Sequence, residues 1–171
     1  KEARMMHTAT AVAGGQAVVY TGGAFYKGGG LFGLIKPKLN MNKGGEVVIN
    51  KKSEKTADLT APRLQHAAAA FSADYVLVAG GRDLKSGLVS GVEVFDPNAN
   101  AYVAAGSLQT PRAGCEIAFN RSEGLIIGGH AGYGETSWVE AFDCDSNTME
   151  STRYRLTTTR NGCTVNVLND G

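Results

Sequence analysis

The sequence predicts an all-β protein, and three observations support this prediction. Short runs of β-branched, aromatic and small apolar residues are separated by Asp, Asn, Gly, Ser and Pro. The middle of the chain, residues 63–112, contains nothing that resembles a helix. The same order of short runs then occurs again at a nearly constant spacing, which indicates a repeat protein.

The clearest copy of the pattern lies between Arg63 and Arg112 and contains four candidate strands. They are spaced as closely as the strands of an all-β meander, in which each strand pairs with the next along the chain. Their predicted ranges are 66–71, 75–79, 92–95 and 101–104.

The motifs of this copy are repeated in the residues that follow it. A predicted strand followed by a glycine pair has the sequence LVAGG at 77–81 and LIIGG at 125–129. A predicted strand that ends in Phe-Asp has the sequence VEVFD at 92–96 and VEAFD at 139–143. The step is 49 residues from Arg63 to Arg112 and 48 residues from Arg112 to Arg160.

An earlier copy starts at Arg4, passes a glycine pair at 22–23 and takes 59 residues to reach Arg63. It is longer because 23 residues separate Gly23 from the next strand, which is predicted to start at Val47. The corresponding links in the next two copies have ten and nine residues. A fourth copy begins at Arg160.

On these motifs the chain resembles the kelch repeat family, whose repeats have about 50 residues and form the blades of a β-propeller. The resemblance implies a kelch-type β-propeller segment of about three four-stranded blades plus the first strand of a fourth. The implied blades are 4–62 with an insertion at 24–46, then 63–111, 112–159, and the start of a fourth at 160–171. Since propellers typically have 4 to 8 blades, we expect the sequence to be a segment of a longer protein.

The sequences of the repeat motifs are also similar to those of bacterial secreted kelch proteins and of the central domain of galactose-oxidase-like proteins. This similarity favours an extracellular or periplasmic location over a cytoplasmic one. It also leaves an enzymatic alternative, either a galactose-oxidase-like oxidase or a kelch-type sugar isomerase. The copper site of such an oxidase matches no cluster here residue by residue, so the catalytic groups would lie mostly outside this segment.

Composition excludes several other classes of function. The formal net charge of +1 offers no case for nucleic-acid binding, and no apolar run is long enough to insert into a membrane. The phosphate-binding, dinucleotide-binding, zinc-protease and hydrolase-nucleophile motifs are absent, so no catalytic residue or cofactor is expected. His7, His66, Cys115 and Cys163 occupy one repeat position, and we expect them to be packed on separate blades without a metal or a disulfide.

The insertion at 24–46 is the one place where the repeat is abandoned for a long loop. It mixes aromatic residues with lysines, and residues 1–55 as a whole hold nine Lys or Arg against three acids. Long loops of this kind are usually functional or disordered, and the aromatic residues argue against disorder. We expect it to contact a partner with an acidic surface.

Antiparallel order places the links between second and third strands at the same end of each blade as the links between blades. The resemblance implies that this face binds a protein or peptide partner, alone or in a larger assembly. The predicted binding residues are Phe25, Tyr26, Phe32, Arg63, Arg82, Asp83, Arg112, His130, Tyr133 and Arg160. For the repeated arginines the alternative is structural, through pairing with Glu93, Glu140 or backbone carbonyls.

Overall fold

The computed structural model describes residues 3–28, 38–72, 74–120 and 123–168. These residues form an all-β structure of several antiparallel sheets, none of which is closed. In chain order the strands are β1 (Thr8–Val12), β2 (Ala17–Thr21), β3 (Ala24–Lys27), β4 (Lys38–Met41), β5 (Gly44–Ile49), β6 (Lys52–Asp58), β7 (Ala67–Phe71), β8 (Tyr75–Ala79), β9 (Arg82–Asp83), β10 (Gly87–Leu88), β11 (Gly91–Asp96), β12 (Ala101–Ser107), β13 (Glu116–Asn120), β14 (Glu123–Ile127), β15 (Thr136–Asp143) and β16 (Thr148–Arg160).

Each of the three larger sheets is a four-stranded antiparallel meander. The strand orders are β1-β2-β5-β6, β7-β8-β11-β12 and β13-β14-β15-β16, so every sheet is built from consecutive parts of the chain. The remaining pairs, β3 with β4 and β9 with β10, are two-stranded extensions of the links between the second and third strands of a sheet. The predicted strands of the central copy are therefore confirmed, with ends that differ by a few residues.

The Phe-Asp motif closes the turn between the third and fourth strands. In the second and third sheets, the Oδ1 atoms of Asp96 and Asp143 accept backbone N–H groups two and three residues later, at 2.8–3.2 Å. These bonds favour the charged carboxylate and hold the pKa of Asp143 below its usual value. An aspartate at this position thus reverses the chain without help from distant residues.

The sheets are stacked on one another, and each of the two junctions contains an apolar core. Side chains on β8 alternate between the cores because successive residues of a strand point to opposite faces. Val76 and Val78 face the first sheet, whereas Leu77 and Ala79 face the third. The first core also contains Val12, Ala17, Val19, Leu59 and Phe95, and the second contains Ala67, Phe71, Val92, Val94, Ala105, Leu108, Cys115, Ile117, Ile126 and Phe142.

The glycine pairs connect each sheet to the next repeat. The N–H of the second glycine donates to the carbonyl oxygen of the arginine that opens the following repeat: Gly23 to Arg63 at 2.8 Å, Gly81 to Arg112 at 2.8 Å and Gly129 to Arg160 at 2.7 Å. A Cβ atom on Gly80 would lie only 2.6 Å from the Arg112 carbonyl oxygen, and its φ is +65°. Glycine is required there because the sheets approach more closely than any side chain allows.

The repeated His/Cys position lies beside these glycines. His66 and Cys115 are buried, as expected, whereas His7 and Cys163 are half-buried. The His66 Nε2 atom is 2.9 Å from the Thr8 hydroxyl oxygen, and burial, followed by the charges of Arg63 and His7, lowers its pKa to about 3. Burial raises the pKa of the Cys115 thiol to about 11, and all three cysteines are free.

Three details differ from the expectation. The insertion was expected to be a long loop, but β3 and β4 form an antiparallel pair inside it, because its ends are brought together by the links to the framework. Strand β5 begins at Gly44, inside the range predicted for the insertion, because its first residues carry too few side chains to show a strand pattern. Residues 161–168 contain no strand, although the fourth repeat was expected to start with one. A strand is defined by its partner, and no neighbouring strand pairs with this segment in the described part of the chain.

Candidate binding surface

The links between the second and third strands lie side by side, as antiparallel order predicts. We call them together the connection surface, which comprises the described residues of 24–43, 82–90 and 130–135. The backbone N–H of Leu84 lies 3.2 Å from the Met41 sulfur, which joins the first link to the second. The Leu88 Cδ1 atom lies 3.4 Å from the position of a Cβ on Gly132, which joins the second link to the third.

Each link is fastened to the framework by the same two sets of backbone hydrogen bonds. The residue after the glycine pair and the residue after the repeat-opening arginine each donate a backbone N–H to the other's carbonyl oxygen, at 2.8–3.1 Å. These residue pairs are Ala24 with Met5, Arg82 with Leu64 and His130 with Ala113. The second glycine's carbonyl then accepts the N–H of Asn42, Val89 or Thr136 at 2.8–2.9 Å. The bases of the three links are therefore equivalent, and only their tips differ in length and composition.

Several predicted binding residues are exposed on this surface. Tyr133 and Tyr26 keep 78% and 58% of their surface exposed, and Arg82 is also exposed. Phe25 and His130 are half-buried. Arg160, at the end of β16, is exposed as well, while its carbonyl oxygen accepts the N–H of Gly129.

Two of the polar groups on the surface are engaged by their own turns. The Asp83 carboxylate accepts the Lys85 N–H at 3.1 Å and the Ser86 hydroxyl at 2.8 Å, and these bonds lower its pKa. His130 Nδ1 accepts the N–H of Gly132 at 3.2 Å, so its proton is placed on Nε2 when the ring is neutral. These contacts shape the tips of the second and third links.

Arg63 and Arg112 do not reach the connection surface, because both are completely buried. Arg112 forms an ion pair with Glu140 and donates to the carbonyl oxygens of Gly128 and Trp138 at 3.1 and 2.6 Å. Arg63 forms the corresponding ion pair with Glu93. These contacts support the structural role for Arg63 and Arg112, through pairing with a glutamate and backbone carbonyls, and not the binding role predicted for them.

The same buried pairs also fasten the preceding connection between sheets. Glu93 accepts the N–H and the hydroxyl of Thr60, both at 2.9 Å, and Glu140 accepts the N–H groups of Gln109 and Thr110 at 2.6 and 3.1 Å. A carboxylate that meets a guanidinium and two further donors is well satisfied despite its burial. These charges hold the framework together and are not available to a ligand.

A groove opens beside the first link. It has a volume of about 460 Å³ and is lined by Ala3, Arg4, Met5, Ala24, Phe25 and Tyr26. Met5 is 37% exposed, and the sequence alone did not mark it as a binding residue. The available signal was its position one residue after the repeat-opening Arg4, which Leu64 and Ala113 occupy in the later copies. In the structure this position pairs with the start of β3.

Phe32 and the rest of residues 29–37 lie outside the described residues. Within the described ranges, no three His, Cys, Asp or Glu side chains are grouped so that they could hold a metal ion. No described helix is long and apolar enough to cross a bilayer.

Comparison of the chain with protein-family models finds no matching family, and comparison with curated proteins finds no matching relative.

Proposed function

We propose that this chain is part of a kelch-type β-propeller and that it binds a protein or peptide through the connection surface. The neighbour relations of the strands support the first part of the proposal. The first strands of successive sheets pack together, β1 with β7 and β7 with β13. The last strands do the same, β6 with β12 and β12 with β16, as they do in successive blades of a propeller.

The observation that carries the binding function is the exposure of two tyrosines on the connection surface. Arg4, Arg63, Arg112 and the glycine pairs are used by the framework, whereas Tyr26 and Tyr133 project from it. Tyrosine is among the residues that contribute most to protein interfaces, because it offers a large rigid contact area and a hydroxyl group. Phe25 and the adjacent groove add an apolar cavity in which a partner side chain can be buried.

The charges around the first link favour an acidic partner. Lys27, Lys38 and Lys43 are exposed, and the described residues of this link include no Asp or Glu. A basic rim around an aromatic centre attracts an acidic surface and accelerates the encounter with it. The proposed partner is therefore a protein or peptide with an acidic contact region.

The test is affinity capture of partners from a lysate of the source organism, with the purified chain immobilised. The double variant Tyr26→Ala/Tyr133→Ala should lose at least ten-fold of the captured partner, because truncation of a hot-spot tyrosine costs about 2 kcal/mol or more and about 1.4 kcal/mol is ten-fold in affinity. Tyr154→Ala is the matched control, because Tyr154 is 46% exposed and pairs with Val139 within the sheet rather than lying on a link. Equal recovery of every captured protein by the double variant and the control would refute the proposal.

A further inference from the structure

Strand β3 has one paired edge and one edge that is paired only at its start. On one side it pairs with β4 in the register Ala24↔Met41, Phe25↔Asn40, Tyr26↔Leu39 and Lys27↔Lys38. On the other side Ala24 exchanges two hydrogen bonds with Met5, at 2.8 and 2.9 Å. No other backbone hydrogen bond reaches this outer edge from the described residues.

The backbone of Tyr26 is directed to the same side as that of Ala24. In an antiparallel ladder, residues alternate between those whose N–H and C=O both face one neighbour and those whose groups face the other. Because Ala24 bonds to Met5, Tyr26 must also turn its N–H and C=O away from β4. Both groups therefore face the groove between β3 and the segment at residues 3–5.

The β3–β4 pair ends in two positive charges that have no negative charge beside them in the described residues. Lys27 and Lys38 lie directly opposite each other on β3 and β4, and both are exposed. Like charges at directly opposite positions destabilise a strand pair. No ion pair involves either lysine within the described part of the chain. An anionic group placed beside this pair would relieve the repulsion.

We propose that the outer edge of β3 accepts an extended acidic segment of a partner protein as an added β-strand. The Tyr26 N–H and C=O supply the backbone hydrogen bonds, as in other cases of strand addition to an open edge. Phe25 and Lys27 share one face of the hairpin, while Tyr26 lies on the other. The matching segment alternates acidic side chains toward Lys27 and Lys38 with apolar side chains toward Tyr26. This inference rests on the binding function proposed above and specifies the partner's chemistry.

The test uses a capped ten-residue peptide that alternates Glu and Val, with a Lys/Val peptide of the same length as its control. Binding of the Glu/Val peptide should fall at least ten-fold in Lys27→Glu/Lys38→Glu. It should change little in Lys52→Glu/Lys55→Glu, a matched double change of two exposed lysines on β6. The inference would be overturned if the Lys/Val peptide bound as tightly as the Glu/Val peptide, or if the Glu/Val peptide did not bind. It would also be overturned if the two lysine variants bound the Glu/Val peptide equally well.

Amide hydrogen exchange distinguishes strand addition from simple charge attraction. The Tyr26 amide should exchange freely in the unbound protein and at least ten-fold more slowly with the Glu/Val peptide. The Phe25 amide, which faces β4, should change much less. Protection of Tyr26 before peptide is added would overturn the inference, because the chain itself would then cover the edge. Lysine-dependent binding without protection of Tyr26 would overturn strand addition alone, and the tyrosine variants above test the binding function separately.

Discussion

The buried ion pairs allow a prediction with an internal control, because the same Arg–Glu pair occurs three times, twice fully buried and once partly exposed. The side chains of Arg112 and Glu140 are 0% and 1% exposed, whereas those of Arg4 and Glu46 are 11% and 18% exposed. The change Glu140→Gln preserves the volume of the side chain but removes its charge. It leaves the Arg112 guanidinium buried without a counter-ion.

The expected magnitude follows from this difference in burial. Removing one partner of a buried pair costs about 3–5 kcal/mol, because the remaining charge stays desolvated. Since glutamine retains one acceptor oxygen, we expect Glu140→Gln to cost about 3 kcal/mol, at the lower end of that range. Glu46→Gln should cost about 1 kcal/mol or less, because water reaches its pair.

Urea and thermal denaturation, both followed by circular dichroism, would measure the free energy of unfolding and the Tm of each variant. For a chain of 171 residues, about 3 kcal/mol corresponds to a decrease in Tm of roughly 6–12 °C. The urea midpoint should decrease with little change in the slope of the transition, which would show that the native state is otherwise intact. If Glu140→Gln and Glu46→Gln destabilise the protein equally, burial does not determine the strength of these pairs and the reasoning is wrong.

Two further predictions concern Gly81 and His66, which lie beside each other in the second repeat. A Cβ atom on Gly81, whose φ is +104°, would lie 2.9 Å from the Leu64 carbonyl oxygen, whereas one on Gly87, with φ +86°, meets nothing within 4 Å. Gly81→Ala should therefore cost at least about 2 kcal/mol more than Gly87→Ala in thermal unfolding, and equal costs would show that backbone strain alone acts at both sites. Burial lowers the pKa of His66 from 6.5 to about 3, so its contribution to stability is complete above pH 6.5 and is lost as the pH falls toward 3. The protein should lose about 2 kcal/mol more than His66→Gln between pH 7.5 and pH 5 in urea titrations, and identical losses would contradict this assignment.

The repeat and its strands could be predicted from the sequence because they depend on local chemistry. Alternating apolar residues, glycines that adopt positive φ and aspartates that close turns act within a few residues of chain. The pattern therefore located β7, β8, β11 and β12 to within a few residues. It also showed which segments form equivalent links, because antiparallel order alone sets the end of the sheet at which each link emerges.

The roles of the charged and aromatic residues depended on the tertiary structure. The sequence left two roles open for Arg63 and Arg112, since a repeated arginine can serve a surface or a framework. Only the stacking of the sheets decides between them: it buries the guanidinium beside a glutamate about 30 residues away. The open edge of β3 at Tyr26 was likewise invisible in the sequence, because pairing depends on which segments the fold brings alongside, and none of the described residues pairs with Tyr26 on that side.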